Sequence, residues 1–154
     1  MIDTPSVVTS REITAAVVHV TVPREKIREV MGPGIAEVRA AIAEQGLGEA
    51  GPWYTHHMKM DPTVFDFEIC VPVKAPVSAK GRVRPATLPA RRVVRTVYHG
   101  GYEGLGAAWA ELGAWVKAQG LKPAPDLWET YLEGPETGKE EGSYRTELNQ
   151  PLME

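Results

Sequence analysis

The chain has 154 residues, 43% of them hydrophobic, with 17 lysines and arginines against 20 acids and a formal net charge of −3. That length suits one domain with a real core, and the scatter of basic residues argues against a stripe that tracks nucleic acid. The single cysteine, Cys70, excludes an internal disulfide, and no stretch approaches membrane-spanning length.

In chain order, Met1-Ile2-Asp3-Thr4-Pro5-Ser6 has no basic region followed by an apolar run, so a cytoplasmic location is expected. By the same reading, no DNA-reading module is expected ahead of a first strand near Arg11. Ile13 to Val20 is β-rich and breaks at Pro23. Gly32-Pro33-Gly34 reads as a turn, after which Ile35, Val38, Ala41 and Ile42 recur at helical spacing up to a stop at Gly46. Trp53 to Met60 and Val64 to Val73 read as strands around an Asp61-Pro62 turn. The order strand, helix, strand, strand then recurs after a seam at Leu88-Pro89. Its members are Arg92 to Tyr98, a helix from about Leu105 to Gln119 ended by Gly120, Leu127 to Leu132, and Ser143 to Gln150. The loop from Gly134 to Gly142 is polar, which predicts an exposed and mobile connection. In the second helix Leu105, Ala108, Trp109, Leu112, Trp115 and Val116 share one face, which predicts tryptophans packed in the core.

The two halves also match residue by residue. Phe65-Asp66-Phe67-Glu68-Ile69-Cys70-Val71-Pro72-Val73 and Tyr144-Arg145-Thr146-Glu147-Leu148-Asn149-Gln150-Pro151-Leu152 share an aromatic first, a glutamate fourth, an aliphatic fifth and last, and a proline eighth. Two copies imply one duplicated domain rather than a solenoid. The expected fold is α+β: one domain over residues 1–154, with repeats over about 11–74 and 88–152. It would form a pseudo-two-fold antiparallel sheet with helices on one face and a ligand cleft between the halves. Strand interiors disfavour glutamate, so Glu68 and Glu147 are candidate ligand-binding residues. By the two-residue strand period they lie opposite the faces of Phe65, Phe67, Ile69 and of Tyr144, Thr146, Leu148. The plainer alternative for Glu147 is an edge-strand residue paired with Arg145 or another base. Trp53, Tyr54, Trp128 and Tyr131 flank the same region, as ligand-stacking rings or as core. Alternation sets Trp53 against Tyr54 without choosing between them, and separates Trp128 from Tyr131 unless a bulge intervenes.

Other chemistry is poorly supported. His56 and His57 point to opposite strand faces and cannot readily share a metal; neither a metal nor a cofactor is expected. His99 has no nucleophile motif to serve. Gly100, Gly101, Gly104 and Gly106 lack a dinucleotide signature and are expected to shape the helix entrance.

The second half resembles the GyrI-like family, the effector-binding domain of bacterial multidrug-sensing transcription activators. The resemblance rests on His99-Gly100-Gly101-Tyr102-Glu103, Trp109 and Trp115, Trp128-Glu129-Thr130-Tyr131-Leu132-Glu133-Gly134-Pro135, and Thr146-Glu147-Leu148 with Pro151. It implies a cleft lined by aromatic rings around a buried acid that meets lipophilic cations, assigned by motif to Glu147, with Tyr131 facing the ligand. Some standalone members hydrolyse strained, cyclopropane-bearing electrophiles, which would make Glu147 the general base and Tyr131 a hydrogen-bond donor. The implied partner is a hydrophobic or cationic small molecule, without direct nucleic-acid or membrane binding; a homodimer or a separate regulator is left open.

Overall fold

The computed structural model describes residues 2–134 and 140–153; most of the loop predicted to be mobile, residues 135–139, lies outside the described residues. The elements are β1 (Ser6–Thr9), β2 (Ile13–Pro23), α1 (Ile27–Glu44), β3 (Tyr54–Met60), β4 (Val64–Pro72), β5 (Arg84–Leu88), β6 (Arg92–His99), α2 (Leu105–Ala118), β7 (Leu127–Glu133) and β8 (Arg145–Pro151). The chain is α+β and divides into two compact units, residues 11–90 and residues 1–10 with 91–154. Within the first, the strands run in the order β3-β4-β2-β5; within the second, β1-β6-β8-β7. All of these neighbours are antiparallel.

Each unit carries one helix on one face of its sheet. In the first unit Val38, Ala41 and Ile42 of α1 are buried, and Gly34 lies against Ile69 and Val18. In the second, Ala108, Leu112 and Val116 of α2 form a core with Val94, Tyr98, Leu148 and Leu152, flanked by Trp109 and Trp115. Burial of such a stripe, rather than intrinsic propensity, supplies most of a helix's stability in a protein. Both helices stop where the sequence places their glycines, Gly46 and Gly120, which adopt positive φ.

Three local features differ from the sequence reading. Helix α1 begins at Ile27 and runs through Gly32-Pro33-Gly34 instead of starting after it. Proline forfeits one intrahelical donor, while Gly34 allows the helix to approach Ile69, so packing overrides a local turn signal. Strands β1 and β5 carry no strong apolar alternation and were not foreseen. They are short and mostly exposed, and β5 contains Pro85, as befits strands with only one neighbour in their own unit. β1 pairs with β6, and β5 with β2, so the short strand ahead of each sequence repeat pairs with the first strand of the other repeat.

The glycine-rich entrance to α2 has a defined steric role. The Tyr98 hydroxyl donates to the Gly101 carbonyl at 2.8 Å, and a β-carbon at Gly104 would overlap that hydroxyl and its ring carbon. Gly113, in the exposed middle of α2, would meet nothing within 4 Å. Gly104→Ala should therefore destabilise by about 1–3 kcal/mol through overpacking, and Gly113→Ala should stabilise by about 0.5–1 kcal/mol. Urea denaturation of the two variants tests this; a Gly104→Ala midpoint equal to wild type would show that the turn does not depend on that close approach.

Candidate functional site

In the second unit, ladder register assigns the faces. Glu129 lies opposite Leu148 and Tyr131 opposite Thr146, whereas Trp128 lies opposite Asn149 and Thr130 opposite Glu147. Leu148 packs beneath α2, so Glu129 and Tyr131 project to the helix-covered face, and Trp128, Glu147 and Asn149 to the other.

Glu129 is 8% exposed. Its Oε1 accepts the Trp109 indole N–H at 2.6 Å and its Oε2 the Tyr131 hydroxyl at 2.7 Å. Both donors are neutral. Burial raises the Glu129 pKa above the ordinary carboxylate range, with the Tyr131 and Trp109 hydrogen bonds opposing that rise. Tyr102 meets Tyr131 edge-on at a centroid distance of 5.8 Å, and its ring lies tilted by 37° against Tyr144 at 5.1 Å. Thr146 is fully buried beside Tyr131, and its hydroxyl has no hydrogen-bond partner among the described residues. The cluster thus joins a withdrawn carboxylate, four aromatic side chains and a spare hydroxyl, contributed by β7, β8 and the residue just before it, α2 and the turn before α2.

Of the residues singled out from sequence, Tyr131 belongs to this cluster. Glu147 lies on the other face with its side chain 22% exposed; its Oε1 is 3.5 Å from Arg95 Nε and accepts from Asn149 Nδ2 at 3.1 Å. Its cationic partner is therefore Arg95, while Arg145 lies near Glu133. Glu68 is buried and ion-paired with Arg84. Trp128 and Tyr54 occupy the helix-free faces of their respective sheets, and both are buried, as is Trp53 just ahead of β3. Burial, then the neighbouring Cys70 and Glu68, raises the Tyr54 pKa. The glutamates preserved by the repeat are each held by an arginine; among the described residues, the buried carboxylate held only by neutral donors is Glu129.

Sequence reasoning missed Glu129, Trp109, Tyr102 and Tyr144 as a group. One signal was available: Glu129 and Tyr131 stand two apart on a strand and must share a face. The repeat pointed elsewhere, because the first copy holds Thr55 opposite Ile69 and His57 opposite Phe67 at the matching ladder positions. Among the described residues no cluster of three or more metal-ligating side chains occurs, and no helix is long and apolar enough to cross a membrane.

Residues 3–153 match the family described as the GyrI-like small molecule binding domain. No curated protein matches the chain. Among solved structures, the EcmrR C-terminal domain superposes with a TM-score of 0.87 at 20% identity, over 98% of each chain. Against EcmrR in its complex with DNA, the chain spans 57% of that protein's length. SAV2435 bound to tetraphenylphosphonium superposes with a TM-score of 0.70 at 12% identity, over 98% of this chain and 94% of that one. A hydrolase from Listeria innocua gives 0.65 at 12% identity, over 97% and 91%. Identities of this size establish a shared fold.

The raised pKa of Glu129 fixes the sign of a pH effect. Because the folded state holds this proton more tightly than the unfolded chain, the stabilisation is complete below the ordinary glutamate pKa of about 4.3. It is lost as pH rises through the folded-state value. Glu129→Gln abolishes that loss, so the variant should gain stability relative to wild type as pH rises from about 4 through the raised folded-state value. Urea unfolding across that range tests this; a difference independent of pH would show that the carboxyl titrates alike in both states.

Proposed function

The chain belongs to the GyrI-like family of small-molecule-binding domains, and from that premise we propose that it captures lipophilic, often cationic or aromatic, compounds at Glu129. The observation that carries this reading is the buried carboxylate with two hydrogen-bond donors, neither of them charged. An ionised carboxylate withdrawn from water is costly without a compensating charge. A lipophilic cation supplies that charge and loses little hydration in doing so. The Trp109, Tyr102, Tyr131 and Tyr144 rings favour the same ligand through their electron-rich faces, and the Thr146 hydroxyl offers a contact for a polar substituent. Glu147 and Glu68, already matched by Arg95 and Arg84, serve mainly to hold their own sheets. Trp128, Trp53 and Tyr54 act as buried walls rather than as charge-selecting groups. SAV2435, which shares the fold, is bound to tetraphenylphosphonium, and that cation is the natural first probe.

A hydrolytic role is the second reading, favoured by one feature: a desolvated carboxyl with a raised pKa, hydrogen-bonded to a tyrosine, suits general-base catalysis. Glu129 would then activate water, and Tyr131 would hydrogen-bond a carbonyl of a strained electrophile. Turnover beyond one equivalent of product, abolished in Glu129→Gln, would distinguish this from capture alone.

For capture, Glu129→Gln should weaken tetraphenylphosphonium about tenfold or more, equivalent to about 1.4 kcal/mol or more, while sparing a neutral ligand of the same shape. Glu147→Gln and Glu68→Gln should change affinity less than about threefold, under about 0.7 kcal/mol. Since the cation prefers the ionised carboxyl, wild-type affinity should rise with pH through the raised pKa and then level off. Calorimetric titration at several pH values checks all three outcomes. Equal losses for charged and neutral ligands in Glu129→Gln would contradict the electrostatic role.

A further inference from the structure

The first unit contains a second aromatic cradle whose polar groups are basic. At the ladder positions matching Glu129, Tyr131 and Thr146 stand Thr55, His57 and Phe67, and the sequence repeat sets Phe65 where the second copy has Tyr144. His57 is 8% exposed, stacks on Phe67 at 5.1 Å with an interplanar angle of 16°, and meets the edge of Phe65 at 5.7 Å. Its Nε2 lies 3.2 Å from the Thr55 hydroxyl, and its buried Nδ1 has no hydrogen-bond partner among the described residues. The Arg24 guanidinium lies 4.4 Å from the centroid of Phe65. Its Nε donates to the Asp61 carbonyl at 2.8 Å, and among the described residues no carboxylate forms an ion pair with it. The Asp61 carboxylate is directed into its own turn, accepting from the Thr63 backbone and hydroxyl and from the Val64 backbone. Asp66 belongs to the other face of β4, where it contacts His19.

We propose that this cradle is a second recognition site, selective for planar aromatic carboxylates. The ligand ring packs against the half-buried Phe65, with His57 stacked on the fully buried Phe67 behind it, while its carboxylate meets Arg24 and the His57 Nδ1–H. That proton position follows when the Thr55 hydroxyl donates to Nε2, and it leaves the unpartnered nitrogen as a donor. A guanidinium already placed over a ring is well suited to a planar carboxylate, which it binds in two-pronged fashion. Burial, then the charges of His56 and Arg24, lowers the His57 pKa to about 4, so near neutral pH the imidazole acts through its N–H dipole and Arg24 supplies the charge. The inference stands independently of ligand capture at Glu129: it rests on another unit and other residues, and it predicts the opposite charge preference.

Titration of the full chain with 2-naphthoate, followed by calorimetry and by chemical shifts of the His57 ring, tests the proposal. The expected result is saturable one-to-one binding, weakened about tenfold or more by Arg24→Gln and by His57→Phe, and unchanged by Glu129→Gln. The neutral alcohol 2-naphthalenemethanol should bind at least about tenfold more weakly than the acid. Thermal unfolding monitors the variants. If His57→Phe does not fold, Arg24→Gln decides, because that residue is only half-buried and lies in a turn. Absence of saturable binding, an unchanged affinity in Arg24→Gln, or a loss of naphthoate binding in Glu129→Gln would each overturn the proposal.

Discussion

The second unit is organised around the cost of burying one carboxylate. Glu129 sits on a strand whose side chains on that face pack beneath an apolar helix, and the groups that reach it are an indole N–H and a phenol O–H. Hydrogen bonds of this kind make a buried charge tolerable without cancelling it. On the proposed reading, the site therefore favours positive charge, because the fold brings only neutral donors to the carboxylate. The surrounding rings add polarizable, electron-rich surface without adding a competing cation. One polar contact between the layers matters most to it: Trp109 donates from α2 to Glu129, on a helix whose Ala108, Leu112 and Val116 pack against the sheet.

Duplication explains how such a site coexists with a stable scaffold. Both copies keep a strand glutamate on the helix-free face, and each is matched by an arginine, Glu68 by Arg84 and Glu147 by Arg95. The arginines come from β5 and β6, so the pairing is common to the units although the donor strand is not. On the helix-covered face the copies diverge: Glu129 and Tyr131 in one unit stand where Thr55 and His57 stand in the other. A copied fold can vary one face while the other retains shared polar pairs and pattern.

Much of this fold was legible in the sequence. The strand periods around Phe67 and Leu148, the stripe on α2 and both terminal glycines are local signals, and each corresponds to an observed element. The start of α1 was not, because a Gly-Pro-Gly segment reads as a turn until the close approach of Gly34 to Ile69 is known. β1 and β5 were hidden because short, exposed strands bury too little to leave a pattern. The proposed site was partly legible: Tyr131 and the aromatic character were visible, and Glu129 stood within a recognised motif. Repetition drew the eye to Glu147 and Glu68 instead, since a repeat highlights what both copies retain. Whether a strand carboxylate is matched by an arginine or only by neutral donors depends on residues distant in sequence, Arg95 for Glu147 and Trp109 for Glu129, and only the folded chain brings them together.

Capture of a cation at this site depends on the charge state of Glu129. Selective carbon-13 labelling of glutamate side chains, with Glu129→Gln and Glu147→Gln used for assignment, would follow each carboxyl through a pH titration with and without tetraphenylphosphonium. The account predicts a Glu129 carboxyl that titrates above the ordinary glutamate range in the free protein and shifts downward when the cation binds, while the Glu147 signal stays in place. A Glu129 carboxyl that titrates in the ordinary range and is indifferent to the cation would contradict it, as would a ligand-induced shift confined to Glu147.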